Sequence, residues 1–184
     1  MNPKTIVQSF VDNAHTFRDD VIIKYKKEKG KPYVDLTWRE LEAAVVSLAS
    51  GLIGLGLAPG DRVAIQSFNR LEWIVTDLGT MLAGGVVVPI YHTNTPDQCA
   101  YIIDDAGARF VVVEDNAQLA KVLAKAEKLE NLSQIILMAG ETPADDEKAI
   151  SYTEVLKRGT DHDRSDEIQR RGAQVTLDAM ATIV

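Results

Sequence analysis

The feature that most constrains this chain is a unit, repeated between residues 62 and 138, in which a short apolar run is followed by an amphipathic helical pattern. The apolar runs are residues 62–66, 86–90, 110–113 and 134–138 of a 184-residue sequence. Each run is almost continuously apolar, as in strands that are buried on both faces, and the segments between them are long enough to return over the sheet. Right-handed crossovers then produce a doubly wound, mostly parallel sheet with flanking helices. The sequence therefore predicts an α/β fold.

The first 36 residues predict a helix followed by a β-hairpin. Apolar residues recur at helical spacing over about residues 3–16, with Asn2 as the N-cap and Pro3 at the first helical position. Two alternating apolar runs then flank the polar turn 26–31. We expect these runs to pair as antiparallel strands that are exposed on one side.

Helix-start signals divide the rest of the chain. Thr37-Trp38-Arg39-Glu40 is a capping box, and Gly56 supplies the stop of the helix that follows it. Asn69 and Thr95 stand where the next two helices begin, and a further helix is predicted over Asn116–Lys128.

Composition divides the chain into a helix and hairpin (1–36), a parallel α/β core (37–140) and a polar excursion with a final strand (141–184). The excursion has short helical patterns at 152–157 and 165–174. The last five residues have the apolar pattern of a buried strand. Because such a strand at a chain end leaves backbone groups uncovered, we expect the chain to be a truncated part of a larger domain.

Charge and composition argue against several classes of protein. The sequence has 20 Lys+Arg against 27 Asp+Glu, a net charge of −7, and 46% hydrophobic residues, which is too apolar for a disordered chain. The acidic balance disfavours a nucleic-acid partner or an anionic membrane surface, because these require a basic stripe. No apolar run approaches the about 20 residues of a membrane span, and the opening residues Met1–Lys4 do not have the charged and apolar pattern of a signal peptide. We therefore expect a cytoplasmic protein.

Residues that resemble chemical motifs have simpler structural interpretations. Gly51, Gly54, Gly56 and Gly60 match no phosphate-binding pattern and lie at a helix C-terminus, whose partial negative charge repels phosphate. Cys99, the single cysteine, lies on an apolar helical face and is expected to pack in the core.

The spacing of the histidines and of the paired acidic residues does not predict a catalytic site. His15 and His162 are far apart in sequence, and neither has neighbours at metal-ligand spacing. The pairs Asp104–Asp105 and Asp145–Asp146 occupy helix ends or loops, where adjacent side chains face different directions. The sequence therefore predicts no catalytic residue and no metal ligand.

The loop Tyr91-His92-Thr93-Asn94 is different, because it follows a parallel strand and precedes a helix. Open α/β sheets place ligand contacts at this position. A polar linker that ends in the Thr95 cap explains the same residues, so both interpretations stay open on position alone.

The order and spacing of several segments match one family over roughly residues 36–115. These segments are Leu36-Thr37-Trp38-Arg39-Glu40-Leu41, Gly60–Ile65, Asn69–Trp73, Ala83–Tyr91, Thr95–Gln98 and Asp105–Arg109. In them the chain resembles the acyl-adenylate-forming (AMP-binding) superfamily, and within it the long-chain fatty acyl-CoA synthetases. Residues 178–184 resemble the strand that leads into the phosphate loop of this family.

The resemblance implies a ligase that uses ATP, Mg²⁺ and CoA. A fatty acid and ATP form an acyl-adenylate, from which CoA then displaces AMP.

The chain would be the amino-terminal part of such an enzyme, inactive alone, and His92, Thr93 and Asn94 would lie near the CoA nucleotide. Its partners would be the remainder of its own chain and the substrates, with no nucleic acid. The whole enzyme would be cytoplasmic or peripheral to a membrane, and the uncovered sheet predicts self-association of the fragment.

Two alternatives remain. One is a stand-alone flavodoxin-like module that binds a small ligand or a protein. The other is part of an enzyme that adenylates an aryl or amino acid.

Overall fold

The computed structural model describes residues 3–27, 30–144 and 146–184. The N-cap prediction for Asn2 and the first member of the Asp145–Asp146 pair lie outside the described residues. Glu28 and Lys29 of the predicted hairpin turn also lie outside them.

Helices and strands alternate through most of the described chain. The strands are β1 (Val21–Tyr25), β2 (Val34–Thr37), β3 (Arg62–Gln66), β4 (Val86–Ile90), β5 (Phe110–Val113), β6 (Gln134–Leu137) and β7 (Ala149–Ser151). The helices are α1 (Ile6–Thr16), α2 (Trp38–Gly54), α3 (Leu71–Leu82), α4 (Pro96–Asp105), α5 (Asn116–Leu123), α6 (Tyr152–Asp161) and α7 (Ser165–Gln174). In the described residues no helix is both long and apolar enough to cross a membrane.

The central sheet of the described chain has the strand order β4-β3-β5-β6-β7, with every neighbouring pair parallel. Ala64 in β3 lies level with Val88 on one side and with Val111 on the other. The direction in which the chain adds strands reverses between β3 and β5. The predicted doubly wound parallel sheet with flanking helices is therefore confirmed, and the reversal creates a switch point at the carboxyl ends of β3 and β5.

Helices cover both faces of this sheet, and alternate strand residues point to each face. Val63, Ile65, Phe110, Val112 and Ile136 pack with residues of α1, α2, α3, α6 and α7. On the opposite face, Ala64, Val88, Val111, Val113, Ile135 and Leu137 pack against α4, α5 and the loop after α5. The strands are apolar on both faces, as the uninterrupted apolar runs predicted.

The predicted hairpin is a separate two-stranded sheet. β1 and β2 are antiparallel, with Tyr25 opposite Val34. Ile23 and Leu36 pack against the core, whereas Lys24 and Asp35 on the outer face form an ion pair of 2.8 Å. The base of the hairpin is thus anchored and its outer face is exposed, as the sequence predicted.

The capping box predicted at Thr37 is present, and the helix start predicted at Thr95 is a second one. Glu40 N–H donates to the Thr37 hydroxyl and Thr37 N–H donates to the Glu40 carboxylate, at 3.3 and 2.8 Å. The Thr37 hydrogen bonds hold the pKa of Glu40 below its usual value. Thr95 forms the same reciprocal pair with Gln98 at the start of α4.

Two helix starts differ from the prediction. α1 begins at Ile6, three residues after Pro3, because Thr5 completes a capping box with Gln8. The N-cap of α3 is Arg70 without a side-chain cap bond, so the cap predicted at Asn69 is wrong.

The helix predicted to continue to Lys128 ends earlier. α5 ends at Leu123, and a short 3₁₀ turn at Ala126–Lys128 leads to β6. The N-cap of α5 is Asp115, whose carboxylate accepts from Gln118 N–H at 3.0 Å.

The segment predicted as a polar surface excursion contributes to the core, which corrects that prediction. β7 extends the sheet in parallel beside β6, and Tyr152 and Val155 of α6 are buried. In α7, the Arg171 guanidinium donates to the carbonyls of Leu57 and Ala83 at 2.9 and 2.8 Å. The segment is polar on average because only one side of each helix is apolar. The two helical patterns in it are confirmed.

The buried strand predicted over the last five residues is also wrong in part. Thr182 forms a single parallel bridge with Val87, at the outer edge of β4. Met180 remains 63% exposed. The backbone around Ala181–Ile183 joins the sheet edge through hydrogen bonds of 3.0 and 2.9 Å to Val87, and the Thr182 hydroxyl donates to the Val87 carbonyl at 3.1 Å.

Glycines allow α2 and α6 to approach each other closely. A Cβ built on Gly159 would lie 1.7 Å from the Ser47 carbonyl oxygen, and one built on Gly51 would lie 2.3 Å from the Val155 carbonyl oxygen. Both obstacles are backbone atoms of the opposite helix, which cannot move without separating the helices. Gly51 is therefore structural, as predicted, but its role is helix packing.

We predict that Gly159→Ala destabilises the chain by about 3 kcal/mol, because the added methyl group forces the two helix backbones apart. Gly172→Ala in α7 is the matched control, since its Cβ would meet Val7 at an ordinary 3.8 Å. The free energy of unfolding of the control is expected to rise by about 0.5–1 kcal/mol, because alanine favours the helix more than glycine does. Urea unfolding measures both variants, and equal effects would contradict this account of the α2–α6 contact.

Candidate functional site

The candidate site lies at the switch point, where the loops after β3 and β5 are neighbours. Phe68 follows β3, and its N–H donates to the Glu114 carboxylate after β5 at 2.9 Å. This hydrogen bond ties the two loops together across the crevice. Ligands of open α/β sheets bind outside such carboxyl ends.

An Arg70–Glu72 pair lines one side of the crevice. The guanidinium of Arg70 binds both carboxylate oxygens of Glu72, at 2.7 and 2.9 Å, and lies 3.8 Å from a Glu114 oxygen. Burial raises the pKa of Glu72, but the hydrogen bonds from Arg70, a backbone hydrogen bond and the charge of Arg70 together leave that pKa below its usual value. Hydrogen bonding to Glu72 in turn raises the pKa of Arg70. The pair is therefore ionised at neutral pH.

The predicted loop Tyr91–Asn94 joins this crevice from the neighbouring strand β4. Asn94 N–H donates to the Tyr91 carbonyl at 3.0 Å and closes a turn. The His92 ring stacks on the Phe68 ring with 3.4 Å between centroids and 29° between planes. Because Phe68 is 57% exposed, the stacked pair forms an aromatic shelf beside the crevice. The structure thus brings the loop to the switch point, and Tyr91, 79% exposed, does not pack against the core.

Lys121 on α5 holds this loop, a role that no sequence pattern indicated. Its ammonium group donates to the carbonyls of His92 and Asn94 at 2.7 and 2.9 Å. A cation bound to two carbonyls fixes the loop backbone while the side chains of His92, Thr93 and Asn94 remain available. The atoms that Lys121 binds are backbone carbonyl oxygens about 30 positions away in the sequence. Every residue has such an oxygen, so no residue pattern could predict this contact.

Cys99 and Gln66 lie beneath the loop. Gln66 Nε2 donates to Cys99 Sγ at 2.9 Å, and the thiol is 3.7 Å from the Asn94 carbonyl oxygen. Burial raises the pKa of Cys99, so this thiol is a poor nucleophile. The expected core role of Cys99 is confirmed, because the residue is fully buried.

The chemistry of the crevice suits an organic ligand better than a metal ion. The carboxylates of Glu72 and Glu114 flank Arg70, whose guanidinium occupies the place that a cation would take. Within residues 3–27, 30–144 and 146–184, no three His, Cys, Asp or Glu side chains are grouped to hold a metal. The described residues therefore do not fit Mg²⁺.

Comparison with known proteins identifies the family. The model of the AMP-binding enzyme family matches residues 10–183, almost the whole chain. The chain belongs to the AMP-binding enzyme family.

Several relatives of this AMP-binding chain are fatty-acid ligases. It is 37% identical to the long-chain-fatty-acid–CoA ligase ACSBG2 of Mus musculus over 135 residues, which are 73% of this chain and 20% of that protein. It is 31% identical to ACSBG2 of Xenopus laevis over 159 residues, 86% of this chain and 21% of that protein. The chain thus spans about a fifth of the length of these curated relatives.

Solved structures of the same fold include the long-chain-fatty-acid-CoA ligase FadD1 from Archaeoglobus fulgidus. That structure aligns with a TM-score of 0.73 at 21% identity, over 86% of this chain and 31% of that chain. At this identity the likeness establishes the fold alone.

We predict that Lys121→Met loosens the loop and exposes the Cys99 thiol, the single cysteine of the sequence. Losing the hydrogen bonds to the His92 and Asn94 carbonyls should speed thiol modification by a disulfide reagent about tenfold, equivalent to about 1.4 kcal/mol of opening free energy. Lys125→Met is the control, because Lys125 pairs with the exposed Asp97 and not with the loop. Equal reaction rates in the wild type and Lys121→Met would contradict the assigned role.

Proposed function

We propose that this chain is the amino-terminal part of a long-chain fatty acid–CoA ligase. In the whole enzyme, ATP would activate a fatty acid as an acyl-adenylate, and CoA would then displace AMP to form the thioester. The observation that carries the proposal is the 37% identity to a long-chain-fatty-acid–CoA ligase over 73% of this chain. The alternative of a stand-alone binding module has no comparable support.

Within that enzyme, we place the CoA nucleotide on the loop Tyr91–Asn94. The shelf formed by Phe68 and His92 offers a flat aromatic surface on which a purine can stack. Thr93 and Asn94 offer a hydroxyl and an amide to the polar edges of a nucleotide. Lys121 supports the site by keeping the loop backbone fixed.

The ATP and Mg²⁺ chemistry belongs, in this proposal, to segments outside these residues. Gly51, Gly54, Gly56 and Gly60 match no phosphate-binding pattern, and Arg70 already lies between the two carboxylates at the crevice. Phosphoryl and adenylyl transfer require donors and a metal directed at the triphosphate. We therefore expect the 184-residue chain alone to form no adenylate.

In the full-length enzyme, His92→Ala combined with Asn94→Ala is expected to raise the KM for CoA about tenfold, because both changes remove groups that face the nucleotide. Palmitate-dependent ATP–pyrophosphate exchange precedes CoA binding and should stay within about twofold of the wild type. Both half-reactions are measured on the same preparations, with the 184-residue chain as the inactive blank.

The matched control replaces a distant exposed pair, His162→Ala with Asn131→Ala, and should leave both half-reactions unchanged. Equal loss of exchange and thioester formation in the loop variant would contradict the CoA assignment. Exchange with benzoate or an amino acid, and none with palmitate, would instead contradict the proposed substrate class.

A further inference from the structure

A cavity of about 780 Å³ lies between the hairpin and the start of α3. Phe68, Arg70 and Glu114 of the candidate site are among its lining residues, so the cavity adjoins the crevice. Lys26 and Lys27 line it from the hairpin side. Cavities of this size commonly hold small organic molecules. The cavity can therefore accommodate part of a ligand that also contacts the crevice.

The lining of this cavity is positively charged, although the whole chain has a net charge of −7. Its charged side chains are the cations Lys24, Lys26, Lys27 and Arg70 and the carboxylates Glu72 and Glu114, which give a net charge of +2. Lys24 also pairs with Asp35 at 2.8 Å, and counting that carboxylate leaves a net charge of +1. The hairpin thus reverses the sign of the charge beside the crevice, and the cavity favours an anion.

Tyr33 holds one of the lysines at the cavity. The Lys26 ammonium lies 4.9 Å from the centre of the Tyr33 ring, and both residues line the cavity. The hairpin register explains this contact, because Tyr25 pairs with Val34 and the two residues come next beyond that pair. A cation–π contact restricts a long lysine side chain before a ligand arrives, which lowers the entropy cost of binding.

Phe68 connects the cavity with the aromatic shelf. Its ring stacks on the His92 ring at 3.4 Å between centroids, and the same residue lines the cavity. The sugar and phosphates of a nucleotide whose base stacks on the shelf can therefore extend into the cavity, toward Lys26 and Lys27.

We propose that Lys26 and Lys27 bind a phosphate group of the CoA nucleotide. This inference rests on the proposed function, in which the loop Tyr91–Asn94 carries that nucleotide. CoA has two sources of phosphate, the 3′-phosphate and the 5′-diphosphate. Lysine suits either one, because its ammonium group is a compact charge with three hydrogen-bond donors. The two lysines would thus favour CoA over a thiol that has no phosphate.

The test measures CoA binding to the 184-residue chain by isothermal titration calorimetry at low ionic strength. The variant Lys26→Gln with Lys27→Gln is expected to raise the Kd for CoA about tenfold, because the cavity loses two cations. The variant Lys26→Arg with Lys27→Arg keeps both charges and should bind CoA within about twofold of the wild type. Adenosine, which has the base without a phosphate, should bind the wild type and the glutamine variant equally.

Titration with 3′-dephospho-CoA distinguishes the two phosphate sources. An equal rise in its Kd in the glutamine variant assigns the lysines to the diphosphate, and an unchanged Kd assigns them to the 3′-phosphate. Both results support the proposal.

The matched control, Lys148→Gln with Lys157→Gln, removes the same charge at exposed positions outside the cavity. It should bind CoA like the wild type, and circular dichroism should give both glutamine variants the wild-type spectrum. An equal rise in Kd in the two variants, or no rise in the cavity variant, would overturn this inference and leave the ligase proposal standing. Absence of CoA binding to the wild type would overturn the inference together with the CoA site on the loop, whereas palmitate-dependent exchange in the full-length enzyme still tests the ligase proposal.

Discussion

A five-stranded parallel sheet that must be covered on both faces determines the rest of this structure. Parallel neighbours cannot be joined by tight hairpins, so the connections from β3 to β6 each cross a face of the sheet and bring a helix with them. Those crossovers bury the two apolar faces of the strands and direct the carboxyl ends of all five strands to one edge. The switch point between β3 and β5 follows from this topology, and so does the convergence of loops that forms the candidate site.

The site combines an ion cluster, in which Arg70 lies between Glu72 and Glu114, with a loop whose backbone is fixed by Lys121. With one cation between two carboxylates, this cluster has a net charge of −1, which repels a phosphate, and the Arg70 guanidinium stands where a metal ion would bind. The ammonium group of Lys121 is already hydrogen-bonded to two backbone carbonyls of the loop. The groups that remain for a ligand are an aromatic shelf and small polar side chains, which suit the base of a nucleotide.

Local signals made much of the fold predictable. The strands β3 to β6 and the capping boxes at Thr37 and Thr95 depend on neighbouring residues, and the sequence contains all of them. β7 was missed because Ala149–Ser151 is too short to show a period, and its pairing with β6 comes from a long-range contact. For the site, the loop Tyr91–Asn94 was predictable from its place after a strand. Phe68 and Lys121 were not, because strand order decides which loops meet.

We propose that the carboxyl edge at the switch point binds the CoA nucleotide. The most direct test is a titration of the ¹⁵N-labelled 184-residue chain with coenzyme A, followed in its amide NMR spectrum. Shift changes are expected to centre on Phe68, His92, Thr93, Asn94 and Lys121. Shift changes confined to the opposite edge of the sheet, around Gly60 and Gly85, or no change at saturating coenzyme A, would contradict it.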